Sequence, residues 1–389
     1  MPRPALEVAD LLRTIATQGR LPPLSSAQAK VVRALTACRT AALGGHVEEC
    51  DQCGYQKISY NSCRNRHCPK CQGSATAAWL DAQKENLLPV AYAHVVFTLP
   101  ATLSPLALQN PRVLYDLLFQ AASRTLLDVA ANPRHLGARL GFLAILHTWG
   151  QTLLHHPHLH CVVPAGGWAP VPSRWVSCRP GFFLPVRVLS RLFRGKFLAL
   201  LEEAFRAGKL QFHGRLCTLG RPTAFQALLS EARQQEWVVY AKPPFGGPEH
   251  VLKYLARYTH CIAISNRRLL EHDGDQVRFE WKDYRHGHRS RTMTLSTTEF
   301  LRRFLLHVLP GRFVKIRYYG FLAQSQRTTA LAQARDALSV PHPSPTIEST
   351  PTIPPGDVPA TDSLDDARCP ECHCGRLRRT ERLRRHDTS

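Results

Sequence analysis

Apolar residues recur at helical spacing over residues 5–20 and 26–43, and Ser25 or Ser26 is placed to cap the second segment. Helical spacing returns over 74–87. AYAHVVFTLP, residues 91–100, is instead a β-rich run closed by Pro100 and reads as a buried strand. The pattern predicts two helices over 112–131 and 136–154. Pro157 disfavours helix at His156, and HLHCVV, residues 158–163, reads as a strand. Helices are expected at 187–207 and 222–235, with a short strand WVVYA at 237–241. Gly246-Gly247-Pro248 opens a further helix through about 260. Residues 276–295 have the alternation of an arginine-rich strand pair, TTEFLRRFLLHVL that of a helix, and RFVKIRYYGF that of a final strand. Strands and helices mix without a βαβα rhythm, and no Gly-rich phosphate loop interrupts them. This predicts an α+β fold rather than a doubly wound sheet.

The 389 residues suit two or three domains. The expected layout is a helical and zinc-binding unit over 1–88 and a larger unit over 89–335. Residues 336–367 are rich in Pro, Ser and Thr and read as a disordered linker, followed by a basic cysteine-containing tail over 368–389. Apolar runs such as GFLAIL (141–146) are too short for a membrane span. The N-terminal segment is amphipathic and lacks a secretory apolar core, so a cytoplasmic protein is expected.

Charge changes the picture. Lysine and arginine total 50 against 29 acidic residues, a net charge of +21. That surplus predicts a polyanionic partner, most simply nucleic acid, over a merely basic soluble protein. Arginine outnumbers lysine, which suits bidentate phosphate contacts. The 13 cysteines come without a secretion signal, so metal-bound thiolates fit better than a disulfide framework.

Cys50-x2-Cys53 and Cys68-x2-Cys71 have the spacing of a zinc ribbon, each turn offering two thiolates to one tetrahedral ion. Cys38, His46, Cys63 and His67 lie upstream and between. They supply the donors of a second Cys2His2 zinc, or a substitute ligand for the first; the alternative is a core thiol and turn residues. Arg64, Arg66 and Lys70 are threaded among the ligands, where a metal-held knuckle would present them to a phosphate backbone. CPECHC, residues 369–374, is half a knuckle. It would borrow His373 or His386, bind metal between chains, or stand as a remnant. The arginines at 376, 378, 379, 382, 384 and 385 should add salt-sensitive DNA affinity.

HHPHLHCVVPAGG (155–167) holds four histidines in six positions. On a strand His158 and His160 face the same side, about 6.6 Å apart, and can meet one divalent ion. Alone, such a pair reads as two satisfied histidines at a strand edge. A second element tips the balance. Tyr254 and Tyr258 stand at i and i+4 of a predicted helix, among Lys253, Arg257, Arg267 and Arg268. Phenol, with a pKa near 10, needs help to act as a nucleophile, and a nearby ion and arginines supply it.

HPHLHCVVPAGG resembles the His-hydrophobic-His motif of HUH endonucleases. With NSCRNRHCPKCQ, HVVFTLP, YLARYTH and FLLHVLPGRFVKIRYYGFLA, the chain resembles, from about residue 25 to 325, the rolling-circle insertion-sequence transposases of the IS91 family. The resemblance implies a DNA transposase in which a tyrosine attacks single-stranded DNA at an element end, forming a 5′-phosphotyrosine and freeing a 3′-OH. It implies Mg²⁺ or Mn²⁺ on His158 and His160, with Tyr254 and Tyr258 as the two family tyrosines. It also implies a five-stranded antiparallel sheet with the histidines on a central strand and the tyrosine helix beside it. HUH enzymes add a third ligand, for which His94, Glu249, His250 and His260 are candidates; His155 and His156 read as solvent-side neighbours. A replication initiator or relaxase would use the same chemistry, but the zinc ribbon and the missing helicase phosphate loop oppose it. A non-enzymatic zinc-ribbon nucleic-acid binder explains the charge and cysteines but leaves the histidine strand and the tyrosines unexplained.

Overall fold

Val8, Leu11, Leu12 and Ile15 share one face of helix α1 (Val8–Thr17), and that face is buried. The structure is a computed structural model and describes residues 6–170, 173–245, 250–251, 262–283, 287, 289–339 and 368–385. Glu7 and Asp10 cap the start of α1 reciprocally. Ser25 caps α2 (Ser26–Thr36), accepting from the Gln28 N–H at 3.3 Å. The second helix stops at Thr36, short of residue 43. Both helices pack on residues distant in sequence, among them Ile262, Ile264, Phe279, Phe300 and Phe304. The hairpin β1 (Gly45–Cys50) and β2 (Gln56–Tyr60) follows, then α3 (Pro69–Lys84), which starts with Pro at its first position.

A five-stranded sheet forms the centre. In chain order its strands are β3 (Tyr92–Thr98), β4 (Gly141–Trp149), β5 (His155–Pro164), β8 (Val239–Phe245) and β12 (Ile316–Gly320). They are ordered β12-β4-β5-β3-β8, every neighbouring pair antiparallel. Between them the chain forms α4 (Ser104–Gln109), α5 (Pro111–Ala131), the hairpin β6 (Gly166–Pro170) and β7 (Ser173–Ser177), α6 (Val186–Arg206) and α7 (Pro222–Gln234).

Strand alternation divides the sheet into two faces. Ala93, Val95, Phe97, Phe142, Ala144, Leu146, Leu159, Cys161 and Val163 turn toward α5, α6 and α7 and form the largest core. Tyr92, Leu143, Ile145 and Val162 turn the other way, against Trp79, Leu80 and Leu87. His158 and His160 of β5 share the second face.

Residues 141–149 correct the expected helix over 136–154. GFLAILHTW is apolar on both faces because β4 is an inner strand covered on both sides. A fully buried strand loses the alternation that would separate it from a buried helix.

The expected arginine-rich strand pair is present as β10 (Gln276–Asp283) and β11 (Arg289–Ser296), joined by β9 (Leu269–His272) in the order β11-β10-β9. Helix Thr297–Leu305 follows, its cap Ser296 accepting from the Glu299 N–H. Helix Arg327–Ser339 closes the main body. A last strand, β13 (Leu377–Leu383), joins β1 to give the order β13-β1-β2. Among the described residues no helix is long and apolar enough to cross a membrane.

Candidate functional site

His158 and His160 lie on β5, and the register sets His147 of β4 directly opposite His158. One ring nitrogen from each of His147, His158 and His160 lies within 4.8 Å of the others. The sequence pattern hides this third histidine because its segment reads as helix. The signal is a lone polar ring inside GFLAILHTW.

Hydrogen bonds orient the rings. His158 Nδ1 lies 2.6 Å from the His156 carbonyl, so it carries the proton and leaves Nε2 as the electron-pair donor. His160 Nδ1 meets His94 Nε2 at 2.9 Å, the two rings stacked 4° from parallel. His94, a candidate third ligand, therefore stands behind His160 and outside the three-donor group. Burial pulls the ring pKa values down, His158 to about 4 and His94 to about 3, with His160 also held well below the usual imidazole range. The rings are neutral at pH 7, the form that binds a divalent ion.

Of the other candidates, His250 is exposed, and Glu249 and His260 lie outside the described residues. His155 is not a solvent-side neighbour. It points to the helical face, with Nδ1 on Ser104 Oγ at 2.7 Å and Nε2 on the Tyr115 hydroxyl at 2.9 Å. His156 is exposed, as expected.

Tyr254, Tyr258, Lys253 and Arg257 lie outside the described residues. Val251 is described and fully buried, packed with Ile145 and Val162 on the histidine face of the sheet.

The cysteines divide differently from the expected ribbon. Cys68 and Cys71 group with Cys38 and Cys63, whereas Cys50 and Cys53 group with Cys369 and Cys372. The two C-x-x-C turns do not share one site, because β1 carries Cys50 toward β13 while Cys68 and Cys71 open α3. In the first group the sulfurs are 3.6 Å apart for Cys38 and Cys71, 3.7 Å for Cys63 and Cys71, and 3.6 Å for Cys38 and Cys68. Four sulfurs on a tetrahedron about 2.3 Å from zinc stand about 3.8 Å apart, whereas a disulfide would need about 2.0 Å. Hydrogen bonds among the four sulfurs split them: those with Cys38 hold the Cys71 thiol far below its usual range and push Cys63 and Cys68 up, while that with Cys63 brings Cys38 down to about 7. His46 and His67 are not brought to either group. His46 sits beside Glu48 at 3.3 Å, and both His67 ring nitrogens are occupied, by Asn65 and by the Leu309 N–H.

The basic residues also sort. Arg64 and Arg267 are exposed. Arg66 is exposed, with one guanidinium N–H on the Phe313 carbonyl at 2.6 Å. Lys70 is withdrawn from the expected phosphate-facing set: its ammonium is buried against Glu7 at 2.5 Å. Arg268 donates to the carbonyls of Glu280 and Gln151 and braces the chain from within. A groove of about 990 Å³ beside β2 collects Arg39, Lys57, Tyr60, Arg64 and Arg385.

Residues 141–329 match the family model "Putative transposase", and residues 10–99 match that of the transposase zinc-binding domain. The three clustered histidines lie inside the first match; Cys369 and Cys372 lie outside both. The zinc-domain match and the thiol geometry together point to structural zinc. The chain is 54% identical to "Putative transposase y4qJ" of Sinorhizobium fredii over 379 residues, 97% of this chain and 95% of the relative. It is 30% identical over 329 residues to the transposase for insertion sequence element IS801 of Pseudomonas savastanoi pv. phaseolicola, 83% of this chain and 77% of that one. No solved structure matches the chain.

Proposed function

Because the chain belongs to the IS91 family of transposases, we propose that it cleaves and rejoins single-stranded DNA at insertion-sequence ends by metal-assisted tyrosine attack, in rolling-circle transposition. The observation that carries this reading is the convergence of three imidazoles on one face of the central antiparallel sheet. That donor set suits a divalent ion with coordination positions left for phosphate oxygens, as in an HUH endonuclease core. Mg²⁺ or Mn²⁺ bound there would polarise the scissile phosphate and steady the departing 3′-oxygen.

The residues of the chain do the rest. Tyr254 or Tyr258 attacks phosphorus through its phenolic oxygen and gives up its proton. The P–O3′ bond breaks, and the 3′-oxygen takes up a proton. The products are a 5′-phosphotyrosine and a free 3′-OH, and the second tyrosine serves the return transfer. Val251 supports this placement, since the chain rests on the histidine face three positions before Tyr254. His158 and His160, with His147 as third ligand, hold the ion, and His94 fixes the His160 ring. Cys38, Cys63, Cys68 and Cys71 hold a structural zinc. Arg64, Arg66 and Arg267, with Lys253 and Arg257, meet the phosphate backbone.

The test is incubation with single-stranded oligonucleotides from the element ends and Mg²⁺. A covalent 5′-adduct mapping to a tyrosine is expected. It should vanish in the double variant Tyr254→Phe/Tyr258→Phe, and its persistence there would overturn the nucleophile assignment. DNA binding without any adduct from the parent protein would favour a non-enzymatic binder.

A further inference from the structure

We propose that Cys50, Cys53, Cys369 and Cys372 bind a structural zinc ion of their own, so that the metal clips the C-terminal strand onto the N-terminal hairpin. The inference stands apart from the tyrosine chemistry and from the Cys38, Cys63, Cys68 and Cys71 group.

The donor set fits the ion. Cys50 and Cys372 sulfurs lie 3.7 Å apart, and Cys53 and Cys369 sulfurs 3.5 Å apart. Both are close to the edge of a zinc–thiolate tetrahedron, about 3.8 Å, and far from a disulfide. Backbone N–H groups already point at two of the sulfurs: Gln52 N–H at Cys50 (3.4 Å) and Gly375 N–H at Cys372 (3.3 Å). Such bonds stabilise thiolate charge. Gly375 shows how tightly the two turns close, because a Cβ there would collide with the Cys50 sulfur. The site is complete within one chain. His373 is exposed and outside the donor group, so neither a histidine nor a second chain is required.

The surrounding strands need such a staple. β13 pairs with β1 over six positions, from Gly45 opposite Leu383 to Cys50 opposite Leu377. Yet β2 and β13 have no buried side chain, and β1 buries only its two ends, Gly45 and Cys50. A sheet without an apolar core is marginal in water unless something else fastens it. Charge contributes part of the fastening. Glu48 and Glu49 face Arg379 and Arg378, and Asp51 accepts from the Arg376 N–H at 2.8 Å and from Arg378 at 3.1 Å. Exposed pairs of this kind are weak. The metal joins Cys53 to Cys369 across 316 positions, and closing a long loop is where a crosslink constrains the unfolded chain most.

The experiment counts zinc per chain in full-length protein by elemental mass spectrometry. Cys369→Ser/Cys372→Ser should hold one zinc fewer than the parent, and equal zinc in the two proteins would overturn the site. Should the double variant lose all its zinc, Cys372→His decides, because it keeps four donors. After cobalt substitution its visible d–d bands should shift, for one of the ions, from an all-thiolate pattern toward that of three thiolates and one imidazole. A spectrum identical to that of the cobalt-loaded parent would show that Cys372 is not a ligand.

Discussion

His94→Phe isolates one hydrogen bond at the histidine site. Phenylalanine keeps a flat ring of similar volume, so packing against His160 is retained while the 2.9 Å bond to His160 Nδ1 is lost. That bond fixes the tautomer and the ring direction of a proposed ligand. Loss of such a supporting bond costs 10- to 100-fold in ion affinity, about 1.4–2.8 kcal/mol. His147→Phe removes a donor outright and should weaken binding further. The assay is Mn²⁺ titration followed by electron paramagnetic resonance, with a thermal melt of each variant as a folding control. Loss of the bond itself should cost about 1–3 kcal/mol, so His94→Phe should lower the melting temperature at pH 7 by only a few degrees. Unchanged Mn²⁺ affinity in a folded His94→Phe protein would refute the idea that His160 is a ligand oriented from behind. A loss in His94→Phe as large as in His147→Phe would refute the division into ligand and support.

Other outcomes follow from the same geometry. Lys70→Met strips the buried Glu7 carboxylate of its ammonium and should cost about 3–5 kcal/mol of stability by urea melt, with partial recovery on adding Glu7→Gln. A near-neutral Lys70→Met would return Lys70 to the surface set. His67 and His155 are held down to about 3 and His307 to about 4 by burial, so each is neutral when folded. Above about pH 6.5 both folded and unfolded forms are neutral and this stability is fully present. Below it the unfolded chain takes up protons that the folded chain refuses, costing up to about 1.4 kcal/mol per pH unit per group. Urea melts should therefore show lower stability at pH 5 than at pH 7, and a flat profile would contradict the buried assignments. Arg385→Ala should reduce the slope of log binding constant against log salt by about 0.7 for single-stranded DNA, with zinc content unchanged.

The sequence disclosed the donors more readily than their partners. On β5 the alternation of His158, Leu159 and His160 was legible because each residue answers to one face. On β4 it was not, because both faces are apolar and His147 becomes visible only through its register with His158. The cysteines repeat the lesson. C-x-x-C spacing singled out six of the eight clustered thiols, but which pairs combine depends on β13 returning to β1, and spacing along the chain carries no trace of that pairing. Lys70 misled for a related reason: its burial depends on Glu7, sixty-three positions earlier.

Net charge calls for similar care as a measure of DNA contact. The +21 surplus counts arginines that the fold itself uses. Arg303 is held by Glu299 at 2.7 Å and donates to the Thr152 carbonyl. Arg317 pairs with Asp116 at 2.5 Å and lies 4.1 Å over the Phe119 ring. Arg13 spans Asp10 and the Thr36 carbonyl, binding α1 to the end of α2. Guanidinium suits these tasks because one planar group serves a carboxylate, a carbonyl and an aromatic face. Such residues release few counterions on DNA binding, so the salt slope should be far smaller than the net charge suggests. The exposed guanidinium and ammonium groups at the groove beside β2 are better placed to set it. Arg385, two positions past β13, lines that groove because β13 pairs with β1, so the proposed metal clip and the proposed DNA track share one element.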